Sequence, residues 1–395
     1  MVNISKLYCG LAGQSDHLRY ERTDSVGPVV VFNCTARCNL RCLHCYSSSD
    51  SSRKDAELTS AQAKKLLSDL VEANCPVVLF SGGEPLLRPD LFELLAEAKR
   101  IGLRTVLSTN GTLIDGDTAR KLAEASVSYI GISIDGPEEF HNRFRQTSGC
   151  FKAAMSGYDN CRNAGLRMGL RFTVNGSNKH QMPAVFEICK DNGIRRLCFY
   201  HLIRSGRASQ IESQILTQPQ TRRVVDTLIQ KTDDYVGQKL LDEVLTVGNH
   251  ADGPYLLVTM QNQNNKNFDE AKRLLLANGG NRIGEAIGCV NWSGNVFADQ
   301  FWRNYSLGNV LEKSFKQIWT NKDEPVLMKL RNKSKFADKR CLKCKWFDLC
   351  RGNFRFLGTD PADKNWLLEP DCYLTDEEIG LQQEKESQPS LPGRN

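Results

Sequence analysis

Between residues 29 and 201, six short runs rich in β-branched residues alternate with segments of helical periodicity, and this alternation restricts the possible folds more than any other feature. Residues 29–33, 77–81, 104–109, 129–134, 169–174 and 196–201 read as strands. Segments such as 60–73 and 90–101 place apolar residues at helical spacing behind Ser or Asp caps. Strands alternating with helices imply parallel pairing through right-handed crossovers, in an open doubly wound sheet or a barrel. In either arrangement the chemistry belongs at the carboxyl ends of the strands.

The residues at those ends are informative. The first strand leads into Cys38, Cys42 and Cys45, a C-x3-C-x2-C loop, and the second into Ser81-Gly82-Gly83-Glu84-Pro85. Asn110-Gly111, Asp135-Gly136-Pro137, Asn175-Gly176 and His201 follow the other four. Three thiolates are one too few to saturate a [4Fe-4S] cube, so one iron stays open to a small ligand. The competing chemistry is a zinc loop with His44 as fourth ligand. Cys34 breaks the 3-then-2 spacing and reads as a core cysteine at the strand end. Gly82 and Gly83 let a ligand approach the backbone, and Glu84 supplies a carboxylate that can accept from an ammonium group.

Through these motifs, residues 34–145 resemble the radical S-adenosylmethionine (SAM) superfamily, whose core is a partial (β/α)6 barrel. The resemblance implies SAM on the open iron, with its amino group at Gly82, Gly83 and Glu84. It also implies Ser133 and Asp135 near the ribose or methionine, and Arg145 reaching the SAM carboxylate. Asp135-Gly136-Pro137 reads equally as a helix-starting turn.

A chain of 395 residues can bury a large core, so a catalytic domain with a smaller partner is expected. The proposed division is an N-terminal segment 1–26, a radical SAM core 27–210, a helical bridge 211–282 with a strand-like stretch at 255–260, an auxiliary domain 283–380 and a mobile tail 381–395. The net charge of +6 is scattered instead of forming a basic block, which favours a small acidic substrate over nucleic acid. No apolar run nears the roughly 20 residues of a membrane span, and residues 1–26 lack the apolar core of a signal peptide, so a cytoplasmic protein is expected. For such a chain, fifteen cysteines point to metal binding over a disulfide framework. The isolated Cys9, Cys75, Cys150, Cys161, Cys189 and Cys198 read as small core residues.

A second group, Cys341-x2-Cys344-x5-Cys350-x21-Cys372, supplies four thiolates, enough to close a zinc ribbon or an iron–sulfur cluster. Placed after a radical SAM core it resembles the SPASM or twitch extension, which implies an auxiliary [4Fe-4S] cluster. The ligands of a further auxiliary cluster are incomplete: Phe354 stands where a cysteine is expected, the stretch 294–299 ends without one, and Cys289 is left over. Two [4Fe-4S] clusters in total are expected.

Outside the cofactor motifs, the stretches YHLIRSGRA (200–208), TVGNHADGPY (246–255), NGGN (278–281), GNVFADQFWRNYSLGNV (294–310), WFDLCRGNF (346–354) and CYLTDEE (372–378) resemble the NirJ-type radical SAM enzymes of heme d1 biosynthesis. That likeness implies removal of two propionate side chains from the iron tetrapyrrole 12,18-didecarboxysiroheme, fed by a reductant such as a flavodoxin or ferredoxin. The alternatives are acetate removal from the same precursor to give Fe-coproporphyrin III, or peptide modification. Arg37, Arg41, Arg204, Arg207 and His250 are candidate contacts for substrate carboxylates, and His201 and His250 candidate proton donors or axial iron ligands. Gly248, Gln146 and the Asn/Gln-rich 261–267 depart from the family pattern.

Overall fold

All six expected strands form, with ends displaced by no more than two residues. The structure, a computed structural model, describes residues 1–13, 16, 20, 26–353, 355–356, 366–367 and 372–381. Strands β1 (Val2–Asn3), β2 (Val29–Thr35), β3 (Val77–Gly82), β4 (Arg104–Thr109), β5 (Tyr129–Ser133), β6 (Met168–Val174), β7 (Arg196–His201), β8 (Glu243–Val247), β9 (Ile287–Val290), β10 (Asn295–Phe297) and β11 (Gly308–Asn309) make one sheet. Its order is β1-β8-β7-β6-β5-β4-β3-β2-β9-β10-β11. From β2 to β8 every pairing is parallel, and the row ends at two edges instead of closing on itself, which makes it a partial barrel.

The crossover helices follow from local sequence. Thr59 and Gln62 form a capping box at the start of Ser60–Glu72, and Ala63, Leu66, Leu67 and Leu70 give that helix its buried stripe. Leu91–Arg100 starts without a side-chain cap, because Asp90 is held by Arg88 at 2.7 Å and by Ser60 at 2.6 Å. Phe172, Phe186 and Phe199 lie fully buried and ring to ring, at centroid distances of 5.4 and 5.7 Å. Each contributes about 1.5–3 kcal/mol of apolar burial. Along each strand alternate residues face the other way, into the barrel.

Two features depart from expectation. The stretch 255–260 is not a strand but part of the helix Asp252–Asn262. Residues Asp252 to Val258 and Met260 are all buried, so the helix has no continuous polar face and its sequence reads as an undivided apolar run. The strand of this region is β8, which pairs in parallel with β7 and carries β1 antiparallel on its outer edge. At the opposite edge β9 pairs in parallel with β2 and continues into the antiparallel β10 and β11, so the C-terminal segment extends the same sheet. Among the described residues no helix is long and apolar enough to cross a membrane.

Candidate functional site

Cys38, Cys42 and Cys45 border a cavity of about 170 Å³ at the carboxyl ends of the strands, beside Gly82, Gly83, Asn110, Ser133 and Arg145. Burial pushes the Cys38 and Cys42 thiols up to about 12, so holding them as thiolates calls for a strongly positive centre such as iron. The loop is clamped from outside by the segment after β7. Arg207 donates from Nε to the Cys42 carbonyl at 2.8 Å, from Nη2 to the Ser49 carbonyl at 2.9 Å, and from its backbone N–H to the Cys45 carbonyl at 2.9 Å. Arg207 is therefore a support for the cysteine loop, whereas Arg41 and Arg204 are exposed and Arg37 donates to the Leu87 carbonyl at 3.1 Å. Cys34 lies fully buried on β2.

The Gly-Gly-Glu segment has two jobs. A Cβ on Gly83 would fall 2.0 Å from the Arg37 carbonyl oxygen, so only glycine lets β3 run this close to the cysteine loop. The approach is sealed by Gly83 N–H donating to the Thr35 carbonyl and Glu84 N–H to the Arg37 carbonyl, both at 2.8 Å. Glu84 does not line the cavity. Fully buried, its carboxylate accepts from Thr109 Oγ1 and the Asn110 N–H, each at 2.8 Å, and so braces the end of β4. Burial raises its pKa to about 7 despite these donors.

Ser133 and Arg145 face the cavity, with Asp135 fully buried behind them. Arg145 Nε donates to Asp135 Oδ2 at 2.7 Å. Burial alone would raise the Asp135 pKa, but Arg145, His44 and His141 outweigh it and hold the carboxyl below its usual range. His44 stacks on Phe144 at 4.8 Å, 3.7 Å from Asp135, and burial lowers its pKa to about 4, so the ring is neutral. Its Nδ1 has no hydrogen-bond partner among the described residues, although the ring lines the cavity. An orphaned polar atom on the wall, three thiols and an arginine suit a polar ligand seated on a cluster.

His201, at the end of β7, also lines the cavity, and its Nε2 lies 2.9 Å from Asp252 Oδ2. Asp252 accepts at Oδ1 from Tyr373 at 2.7 Å, and Tyr373 directly follows Cys372. His250 does not line the cavity; its backbone N–H donates to Asn353 Oδ1 at 2.6 Å. Asp252 lies outside the strand-like stretch 255–260 and is brought to His201 only by the first turn of the helix Asp252–Asn262. Arg171 and Tyr200 escaped the sequence reading because they lie within strands, not beyond them, although both line the cavity. Period-2 alternation along β6, from Thr173 to Arg171, is the signal available for Arg171, and Tyr200 directly precedes His201.

Cys341, Cys344, Cys350 and Cys372 come together around a cavity of about 470 Å³. Among the described residues no three His, Cys, Asp or Glu side chains close tightly on a single ion, and the four thiols border a space suited to a larger group. This site has a clamp of its own. Asn281 donates from its backbone N–H to the Cys350 carbonyl at 3.0 Å and from Nδ2 to the Gly352 carbonyl at 2.9 Å. Cys289 is elsewhere, on β9 against Val31 and Phe297, with Asn33 Nδ2 3.4 Å from its sulfur. Phe354 lies outside the described residues. No disulfide joins the cysteines among the described residues; five of the six isolated ones are buried, and Cys9 is half-buried near Asp233.

Comparison with known proteins agrees with this geometry. The family described as Radical SAM superfamily matches residues 32–189, and that described as Iron-sulfur cluster-binding domain (SPASM) matches residues 283–345. The chain belongs to the radical SAM superfamily: it is a radical SAM enzyme with a SPASM domain, and its cofactors are SAM and two [4Fe-4S] clusters. Among named relatives, it is 44% identical to the Fe-coproporphyrin III synthase of Methanosarcina barkeri over 96% of this chain and 99% of the relative. It is 36% identical to the pre-heme d1 synthase of Dinoroseobacter shibae over 89% of this chain and 88% of that one. In fold it is similar to Streptococcus suis SuiB bound to S-adenosylmethionine, at a TM-score of 0.66 and 17% identity over 89% of this chain and 78% of SuiB. By these likenesses the chain groups with radical SAM enzymes of heme biosynthesis.

Proposed function

We propose that this enzyme removes the acetate side chains of 12,18-didecarboxysiroheme to form Fe-coproporphyrin III. The observation that carries the reading is the 44% identity to the Fe-coproporphyrin III synthase over nearly the whole of both chains, against 36% to the pre-heme d1 synthase. That order favours acetate over propionate removal, the reverse of what the likeness to the heme d1 branch suggested, and it leaves propionate removal as the second reading.

In this reading Cys38, Cys42 and Cys45 hold the SAM-binding cluster, and Cys341, Cys344, Cys350 and Cys372 the auxiliary one. With cluster and SAM held there, the site would supply 5′-deoxyadenosyl radical chemistry, fed by a reductant such as a flavodoxin or ferredoxin. The backbone of Gly82 and Gly83, together with Ser133 and Arg145, positions SAM along the cavity wall, while Glu84 and Asp135 act indirectly by fixing the Asn110 turn and the Arg145 guanidinium. His201, oriented by Asp252, presents its ring to the cavity as a proton donor or axial iron ligand. The division into a core at 27–210, a bridge at 211–282 and an auxiliary domain at 283–380 keeps each cysteine group within one unit.

The test is anaerobic incubation of reconstituted protein with 12,18-didecarboxysiroheme, SAM and reductant, followed by mass spectrometry. A product lacking two acetate arms supports the proposal, and one lacking two propionate arms establishes the second reading. An unchanged tetrapyrrole, with 5′-deoxyadenosine still formed, sinks both.

A further inference from the structure

Arg171 is the cavity cation that the machinery above leaves without a task. On β6, it stands opposite Ser133 of β5 and Cys198 of β7, inside the barrel. Its side chain runs sideways across the sheet: a Cβ at Gly131 would lie 2.0 Å from Arg171 Nε and 2.4 Å from Cζ, so the missing side chain of Gly131 forms the slot for the guanidinium. Beyond that slot, Nη1 donates to Ser108 Oγ on β4. The result is a guanidinium fixed across three strands, and fixing it costs rotamer freedom that a surface arginine keeps.

The position lacks a counter-charge. No carboxylate pairs with Arg171 among the described residues, and its neighbours are Tyr200, Tyr129, Cys198 and Tyr46. The phenols are neutral, since burial pushes Tyr200 and Tyr129 above the usual range. The other arginine lining the cavity, Arg145, is paired with Asp135, and Arg207, against the cysteine loop, is held by backbone carbonyls. An enclosed cation without an anion is unfavourable unless a ligand brings one. A forked guanidinium best matches a carboxylate.

We propose that Arg171 binds a carboxylate side chain of the tetrapyrrole substrate and so positions the reacting edge of the macrocycle. This rests on the tetrapyrrole reading. SAM also carries a carboxylate, but Arg145, which lies close enough to Cys42 to influence its thiol, is the arginine at the cysteine-loop end of the cavity. Arg171 lies within the strands, its guanidinium held at Gly131 and Ser108 with Tyr200 beside it.

The experiment measures two dissociation constants on the anaerobically reconstituted full chain: that of 12,18-didecarboxysiroheme from its visible absorption, and that of SAM by equilibrium dialysis. Arg171→Gln is expected to weaken tetrapyrrole binding about 30-fold or more, with Arg171→Lys intermediate and SAM binding within about threefold of wild type. The tetrapyrrole methyl ester, tested on the unmutated protein, is expected to bind at least as weakly as the free acid binds Arg171→Gln, since every carboxylate is blocked; this arm stands even if the glutamine variant misfolds. Equal binding of acid and ester, an unaltered tetrapyrrole constant in a folded Arg171→Gln, or a loss confined to SAM each overturns the assignment. Unmutated protein that binds no tetrapyrrole in either form removes the proposed function first and this inference with it, and that failure is visible before any variant is made.

Discussion

The two cysteine sites share one device and differ in everything around it. At each, a glycine at φ +59° presses against the cysteine loop: a Cβ on Gly206 would lie 2.5 Å from the Cys45 carbonyl oxygen, and one on Gly280 2.4 Å from that of Cys350. The residue after each glycine, Arg207 or Asn281, then donates to carbonyls of that loop. The surroundings diverge. Cys38, Cys42 and Cys45 sit on the loop that leads from β2 towards the helix Ser60–Glu72, against the end of β3, and two of them are buried. Cys341, Cys344, Cys350 and Cys372 are all half-buried, carried on short helical turns and on a return segment held by Gln218 at 3.0 Å and by Arg340. A site built on strand ends is largely formed before metal arrives, whereas one assembled from separate turns draws more of its order from the metal.

The sharpest way to break that contrast is to remove one ligand from each site. Cys38→Ala is expected to lower 5′-deoxyadenosine formation at least about 1,000-fold and iron from about eight to about four per chain, with the sheet still folded. Cys350→Ala is expected to lose a similar amount of iron but also to make the segment around 337–353 more open to proteases, since its short turns are tied together by the cluster in addition to Asn281 and the buried Trp346 and Leu349. Equal protease resistance in the two variants would show that both sites are preformed and would end the comparison.

The next test addresses the shared device. Gly206→Ala and Gly280→Ala each place a Cβ in the left-handed region and against carbonyl oxygens, at about 1–3 kcal/mol. Thermal unfolding should register both. Iron analysis should separate them, with Gly206→Ala depleting the SAM-binding cluster and Gly280→Ala the auxiliary one. If either variant depletes both clusters equally, the clamps are not local.

Much of this was legible from residue order. Strand positions and the first cysteine loop follow from β-branched runs and from thiols placed after them, because parallel sheets put their chemistry at strand ends. What the chain order hides is sideways geometry. Glu84 reads as a ligand for an ammonium group, yet it faces Thr109 and Asn110, partners that only the β3–β4 pairing supplies. Arg207 reads as a substrate contact, and becomes a loop support only when the segment after β7 folds back over Cys42. Arg171 carries no motif at all; its slot comes from a glycine on the neighbouring strand. The helix Asp252–Asn262 was misread because burial on all sides removes the polar face by which helices are recognised.

The smallest expected effect is a coupling along a hydrogen-bonded chain between the two sites, His201 to Asp252 to Tyr373. Burial alone would raise the Asp252 pKa, but His201, Thr246 and Tyr373 hold it below its usual range, so a carboxylate sits between the cavity wall and the return segment that carries Cys372. Tyr373→Phe removes one charge-assisted hydrogen bond and should cost about 1.5–3 kcal/mol in denaturant unfolding. His201→Gln removes the other. If Asp252 transmits between them, the double variant will depart from additivity by about 0.5–1.5 kcal/mol, because each single change alters the acceptor that the other partner uses. A coupling of zero would mean that the two sites merely share a neighbour.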